Sequence, residues 1–170
     1  MDPVADMIFT GTELYSQFGY GLDWSADVTG DGIGDLIVSA PVGWIPYGYV
    51  YLFSLGETGL VDSMSLRGLH DEDSMGWDIA TLPDISGDGV DDLLIGAPIG
   101  KKVYLVFGGE SLSMDRSLII TADSTQNSFG GVDVNFGDID ADTVSDFGIR
   151  GGNAIGVYSG ATWSLLTEIR

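Results

Sequence analysis

The sequence predicts an all-β fold built from three copies of one repeat, and three observations carry that prediction. Short apolar runs such as Tyr49 to Phe53, Val103 to Phe107 and Leu118 to Thr121 are bounded by Gly, Asp and Ser. They are rich in β-branched and aromatic residues, as strands between turns are. The chain has 26 glycines in 170 residues without a G-X-Y period, which calls for many tight turns. No stretch sustains a 3.6-residue period over ten or more residues, so almost no helix is expected. Finally, three segments align without gaps over about 24 residues: Phe18-Gly19 to Ala40-Pro41, Met75-Gly76 to Ala97-Pro98, and Phe129-Gly130 to Gly151-Gly152.

Two internal spacings stay fixed in all three copies. Eight residues separate the glycine from the first aspartate of the segment (Asp27, Asp84, Asp138), and 14 separate that aspartate from the segment's end. The copies start 57 and then 54 residues apart, and repeats are drawn at about 8–62, 63–116 and 117–170 of a single domain. Each copy runs on into a further apolar strand: Gly48 to Phe53, Lys102 to Phe107, Ala154 to Tyr158. A more polar strand follows the first two, Ser63 to Gly68 and Ser117 to Thr121, with related stretches at Met7 to Thr10 and Ser164 to Ile169. Four strands per repeat is the count of a β-propeller blade, with Leu36-Ile37-Val38 and Leu93-Leu94-Ile95 as central strands buried on both faces. A β-helical solenoid is the rival architecture, but its coils are usually shorter.

Composition narrows the partners. The net charge is −20 with only six Lys and Arg, which argues against nucleic acid and favours cations. With 44% hydrophobic residues and 18 aromatics the chain does not read as disordered. There is no cysteine, hence no disulfide framework, and no run of 18 apolar residues that spans a membrane.

An acidic nine-residue loop lies between two strand-like runs in every copy: Asp27 to Asp35, Asp84 to Asp92 and Asp138 to Asp146. Oxygen-bearing side chains fall at positions 1, 3, 5 and 9. These are Asp27, Thr29, Asp31 and Asp35; Asp84, Ser86, Asp88 and Asp92; and Asp138, Asp140, Asp142 and Asp146. Alternate residues of a tightly curled loop converge on one point, and a hard cation takes several oxygens at roughly 2.3–2.6 Å. Position 7 (Ile33, Val90, Val144) is expected to offer its carbonyl, and glycine at position 6 permits the sharp turn. The loop departs from an EF-hand, which closes on a Glu at position 12, because position 12 here is Val38, Ile95 or Ile149. Acidic Asp-Gly loops also serve as plain turns. Three matched clusters of carboxylates without enough basic residues to neutralise them favour metal, with Ca²⁺ over Mg²⁺ and up to three ions per chain. In the third loop Thr143 stands where the others have glycine, so that site is expected to be the strained one.

Phe-Gly, an Asp-rich loop and Gly-Ala-Pro, in that order and spacing, resemble the FG-GAP repeats of integrin α chains and related bacterial proteins. Gly96-Ala97-Pro98 is a literal match and Ser39-Ala40-Pro41 a near one, whereas Met75 replaces Phe and Gly151-Gly152 has lost the Ala-Pro. The resemblance implies a β-propeller with calcium in loops on one face, an adhesion or ligand-display role, and an extracellular or cell-surface location. Closed propellers need about four to eight blades, and three repeats fall short. Either further blades lie in a longer parent chain, or two chains close a six-bladed homodimeric ring, or an open stack leaves its edges exposed; the dimer is the favoured expectation.

Catalysis is not expected. His70 is the single histidine and lies in an acidic stretch, no Gly-x-Ser-x-Gly pattern occurs, and Gly96 to Lys102 is explained by the repeat rather than by a phosphate loop. The alternatives to a protein-binding scaffold are a carbohydrate-binding propeller and, less favoured, a hydrolase accessory domain. Trp24, Trp44, Tyr47 and Trp163 are the candidate sugar-stacking residues, although packing between blades is the readier use of them.

Overall fold

A computed structural model describes residues 7–11, 14–24, 26–42, 47–57, 59–70, 73–110, 112–122 and 129–170, without the side chains of 133–135. Among the described residues, twelve strands form three four-stranded antiparallel sheets, each a meander of consecutive strands. The first holds β1 (Leu22–Trp24), β2 (Asp35–Ala40), β3 (Tyr49–Gly56) and β4 (Gly59–Arg67). The second holds β5 (Asp78–Leu82), β6 (Asp92–Ala97), β7 (Lys102–Val106) and β8 (Leu118–Thr121). The third holds β9 (Gly131–Gly137), β10 (Asp146–Gly151), β11 (Ala154–Tyr158) and β12 (Leu165–Ile169). The all-β expectation holds, and three such sheets are consistent with a propeller-type fold. Helix among the described residues is limited to a 3₁₀ turn at Met114–Arg116, capped by the Ser113 side chain.

The core lies between sheets. One cluster joins Ile37, Val50, Leu52 and Leu66 of the first sheet to Leu93, Ile95, Tyr104 and Val106 of the second. The other joins Leu94, Val103 and Leu105 of the second sheet to Val132, Phe147, Ile149 and Tyr158 of the third. Alternation assigns these sides, since successive residues of a strand face opposite ways. In β6 both sides are covered, so all six residues are buried and the run reads as continuously apolar after Asp92.

Met7 to Thr10 is a correction. It reads as strand-like in sequence but is not a strand, because β4 already occupies the outer place of the first sheet. The segment instead lays Phe9 against Phe53, with ring centroids 4.5 Å apart.

Between sheets, polar side chains add to the packing. Asp23 accepts from the backbone N–H of Thr81 at 2.9 Å and from its hydroxyl at 3.0 Å. Asp78 accepts from Val132 N–H at 3.2 Å and from Arg150 at 3.1 Å. Asp73, on the connector between the first and second sheets, is 2% exposed. Both its carboxylate oxygens receive the Lys102 ammonium, at 2.9 and 3.1 Å, and it accepts from the Tyr104 hydroxyl as well.

Candidate metal loops

Each acidic loop follows the first strand of its sheet, an edge strand, and ends on the first residue of the next strand, Asp35, Asp92 or Asp146. The loops curl because their own carboxylates gather backbone N–H groups. At position 1, Asp27 accepts from Gly30, Asp31 and Gly32 at 2.8, 3.1 and 2.9 Å. Asp84 accepts from Gly87, Asp88 and Gly89 at 2.6, 3.0 and 2.7 Å. Asp138 accepts from Asp142 and Thr143 at 3.1 and 2.9 Å. At position 5, Asp31, Asp88 and Asp142 accept from the N–H of Ile33, Val90 and Val144 at 2.8 to 3.0 Å. The position-7 side chains are half-buried.

This curl requires left-handed backbone twice, at positions 4 and 6. Glycine supplies both in the first two loops, with φ of 77° and 82° at Gly30 and Gly32 and 83° and 91° at Gly87 and Gly89. The third loop forces Ala141 to 65° and the β-branched Thr143 to 77°, a conformation that costs such residues free energy. The strain expected at Thr143 is therefore present, and Ala141 shares it.

Position 9 differs from the rest. Asp35, Asp92 and Asp146 are each 0% exposed, and a buried carboxylate must be hydrogen-bonded. One oxygen receives the N–H of loop positions 2 and 3: Val28 and Thr29 at 2.8 and 2.9 Å, Ile85 and Ser86 at 2.9 and 3.0 Å, and in the third loop Ile139 at 2.8 Å. The other oxygen receives a donor returning from the following hairpin: the Ser54 hydroxyl at 2.7 Å, Gly108 N–H at 3.0 Å, or Gly160 N–H at 3.0 Å. Sequence reasoning missed these three partners. For two of them the signal is a glycine just past a strand: a side chain at Gly108 would run into the Asp91 carbonyl, and one at Gly160 into that of Ser145, whereas Ser54 lies inside β3 opposite Asp35. Asp91 was also missed as a tie between loops, since it accepts from Asp27 N–H at 3.1 Å and donates its own N–H to the Asp27 carbonyl at 3.2 Å.

The oxygens converge most clearly in the third loop, where one carboxylate oxygen from each of Asp138, Asp140 and Asp146 lies within 4.8 Å of the others. Position 3 also comes close in the other two loops. The Thr29 hydroxyl is 3.2 Å from an Asp35 oxygen, and the Ser86 hydroxyl is 3.3 Å from an Asp84 oxygen. All-oxygen donors, several of them anionic, fit a hard divalent cation, and the oxygens that accept a single N–H, such as Oδ2 of Asp27, Oδ2 of Asp84 and Oδ1 of Asp146, keep a lone pair for it. The described ion pairs, Lys102–Asp73, Arg150–Asp78 and Arg170–Glu168, all lie outside the three loops.

Burial pushes the Asp92 carboxyl above the ordinary carboxylate range, against the N–H groups of Gly108, Ile85 and Ser86, and the nearby charge of Asp88 adds to the rise. In Asp84 slight burial acts upward too, but the N–H groups of Gly89, Gly87 and Asp88 outweigh it and hold the carboxyl below that range. Partial desolvation and then the charges of Asp142, Asp146 and Asp138 push Asp140 up.

The other singled-out residues lie apart from the loops. His70 is exposed, and Gly96 to Lys102 forms the β6–β7 hairpin. Among the aromatic candidates, Trp163 packs on Phe107 with centroids 5.3 Å apart, and Tyr47 carries the Arg67 guanidinium 3.8 Å over its ring. Trp24 is 55% exposed, while Trp44 lies outside the described residues. No helix among the described residues is long and apolar enough to cross a membrane.

Comparison with known proteins bears on all three sheets. A family model for the FG-GAP repeat matches residues 75–110, the stretch that contains the second loop. Integrin alpha-5 of Xenopus laevis is 32% identical across 79% of this chain, which spans 14% of that protein. Phosphatidylinositol-glycan-specific phospholipase D of Bos taurus is 34% identical across 88% of this chain, which spans 22% of it. Integrin alpha-PS2 of Drosophila melanogaster is 33% identical across 61% of this chain and is spanned over 8% of its length. The chain therefore corresponds to a small part of each of these relatives.

Proposed function

We propose that this chain, which belongs to the FG-GAP repeat family, is a non-catalytic, calcium-loaded propeller scaffold of the adhesion type, holding up to three Ca²⁺ and presenting a surface to protein partners outside the cell. The observation that carries the reading is the convergence of Asp138, Asp140 and Asp146 within 4.8 Å. Like charges so close oppose one another unless a cation stands among them. Asp27, Thr29, Asp31 and Asp35, and likewise Asp84, Ser86, Asp88 and Asp92, form the two corresponding sets, with the carbonyls of Ile33, Val90 and Val144 as further ligands. A bound ion supplies positive charge that offsets the clustered carboxylates. The residues do the rest: position 1 curls the loop, position 9 anchors it to the sheet, and the Asp27–Asp91 bonds fasten the first loop to the second.

The three sheets belong, on this reading, to a larger radial array completed by further sheets of the same kind. The relative named as a phospholipase D matches this chain over 22% of its own length, and an accessory domain of a hydrolase is the second reading. Among the described stacking candidates, Trp24 is the exposed one that would support a lectin-like role.

The test is calorimetric titration with Ca²⁺ after chelation, alongside melts with and without chelator. Up to three ions per chain are expected, with stabilisation of about 2.7 kcal/mol per site at a hundredfold excess over its dissociation constant. No binding heat and a melt indifferent to chelator would end the reading.

A further inference from the structure

Asp-Gly occurs twice in the chain, at Asp31-Gly32 and Asp88-Gly89, and both pairs fall at positions 5 and 6 of their loops. Aspartate isomerises most readily in this dipeptide, because glycine has no side chain to screen its own amide nitrogen. The reaction needs only water. The glycine nitrogen attacks Cγ of the aspartate, a new N–C bond closes a five-membered succinimide, and the amide hydrogen leaves with the carboxyl hydroxyl as water. Water then opens the ring at either carbonyl. Attack at the side-chain carbonyl restores aspartate; attack at the main-chain carbonyl leaves isoaspartate, with the chain running through the former side chain.

The structure holds both reacting groups in check. Gly32 donates its N–H to the Asp27 carboxylate at 2.9 Å, and Gly89 donates to that of Asp84 at 2.7 Å. The two aspartates are turned to the amide beyond, Asp31 accepting from Ile33 at 2.8 Å and Asp88 from Val90 at 3.0 Å. Asp31, Gly32, Asp88 and Gly89 are all exposed, so these hydrogen bonds, and not burial, are the protection. It lasts as long as the curl does.

The third loop is an internal control. Thr143 takes φ of 77° where Gly32 and Gly89 take 82° and 91°, and it donates to Asp138 at 2.9 Å. Its β-branched side chain, however, crowds the nitrogen that would attack Asp142. One turn is thus built in two ways: relaxed but chemically perishable with glycine, strained but durable with threonine.

We propose that Asp31 and Asp88 are latent isomerisation sites, shut while their loops are curled, so that a chain kept without calcium gradually converts its first two loops and spares its third. Conversion adds a methylene to the main chain between positions 5 and 7 and takes one from the position-5 carboxylate arm, displacing two expected ligands. The inference rests on the calcium reading for what keeps the loop closed, and on the hydrogen bonds alone for what protects it otherwise.

Long incubation in heavy-oxygen water, then peptide mapping, reads each site separately, since every reopened ring retains a labelled oxygen. In chelator, label and isoaspartate should build up at Asp31 and Asp88 but not at Asp142, and calcium should suppress both. Asp27→Ala removes the acceptor of Gly32; in chelator it should speed Asp31 by about tenfold or more while Asp88 of the same molecule keeps its rate. Thr143→Gly should create a third site at Asp142. Circular dichroism checks that each variant folds, and the urea-unfolded chain gives the unprotected rate. Conversion at Asp31 that Asp27→Ala does not speed, no conversion at Asp142 in Thr143→Gly, or equal rates with and without calcium in a chain that binds it overturns the proposal. A paired calorimetric titration without binding heat sinks the calcium reading, and the Asp27→Ala comparison, run without metal, still judges the isomerisation.

Discussion

Asp73→Ala tests whether the connector between the first two sheets is held by charge. Asp73 receives Lys102 on both oxygens and the Tyr104 hydroxyl on one, and its side chain is 3% exposed against 19% for Lys102. Removing the carboxylate strands the phenol of Tyr104, which is 0% exposed, at a cost of about 1–3 kcal/mol for an unsatisfied buried donor. Breaking a fully buried ion pair costs about 3–5 kcal/mol, and the ammonium's partial access to water lowers that share. The sum points to about 3 kcal/mol, or a fall in Tm of about 6–12 °C for a chain of this size. Urea denaturation followed by tryptophan fluorescence, run in chelator so that no ion contributes, measures it. Asp73→Asn keeps an acceptor and should lose less. A loss under about 1 kcal/mol for Asp73→Ala, the scale of an exposed pair, would refute the reasoning.

The same network has an alkaline signature. Burial, and then Asp73 through its hydrogen bond and its charge, push the Tyr104 phenol well above its ordinary value. A raised folded value means this contribution is intact below the unfolded phenol's pKa of about 10 and is lost as pH rises from there towards the folded value. Tyr104→Phe should flatten that alkaline loss.

Thr143→Gly should stabilise the chelated protein by about 1 kcal/mol, since it removes a β-branched side chain from φ of 77° while keeping the N–H bond to Asp138; a melt that falls instead would show that the hydroxyl or methyl is needed. Asp140→Asn should have opposite effects with and without calcium. Because Asp140 is raised by partial desolvation and by Asp142, Asp146 and Asp138, its ionised form opposes the chelated fold at neutral pH. The asparagine variant should then be the more stable at pH 7 in chelator, with the advantage vanishing as pH falls to the carboxylate range. With calcium present it should bind the third ion more weakly, and melts across pH with paired titrations read both effects.

How far the sequence revealed this molecule depends on how local each signal was. Strands were legible because alternation and β-branched runs are properties of five or six neighbouring residues, as in β3, where Val50 and Leu52 face the core and Tyr49, Tyr51 and Phe53 face the other way. Met7 to Thr10 shows the limit: it has the composition of a strand, but whether a sheet edge awaits it is decided by β4, some fifty residues on. In the third loop the stride brought oxygens together as read, since Asp138, Asp140 and Asp146 gather there. What stride could not reveal is that position 9 is buried and takes its second set of donors from Ser54, Gly108 and Gly160, which lie 19, 16 and 14 residues further along. Those offsets vary with hairpin length, so no fixed spacing marks them.

That buried aspartate links the loops to the sheets. Asp92 begins β6, the strand covered on both sides, and one carboxylate joins the loop's N–H groups to the hairpin that follows β7. A substitution in the loop is thereby felt at the strand between the two core clusters rather than at a free surface. Asp91 carries the connection across sheets through its two bonds to Asp27. The first two loops are therefore tied to each other, and a substitution that loosens the first should disturb β6 of the second sheet before it disturbs β4, the far strand of its own sheet.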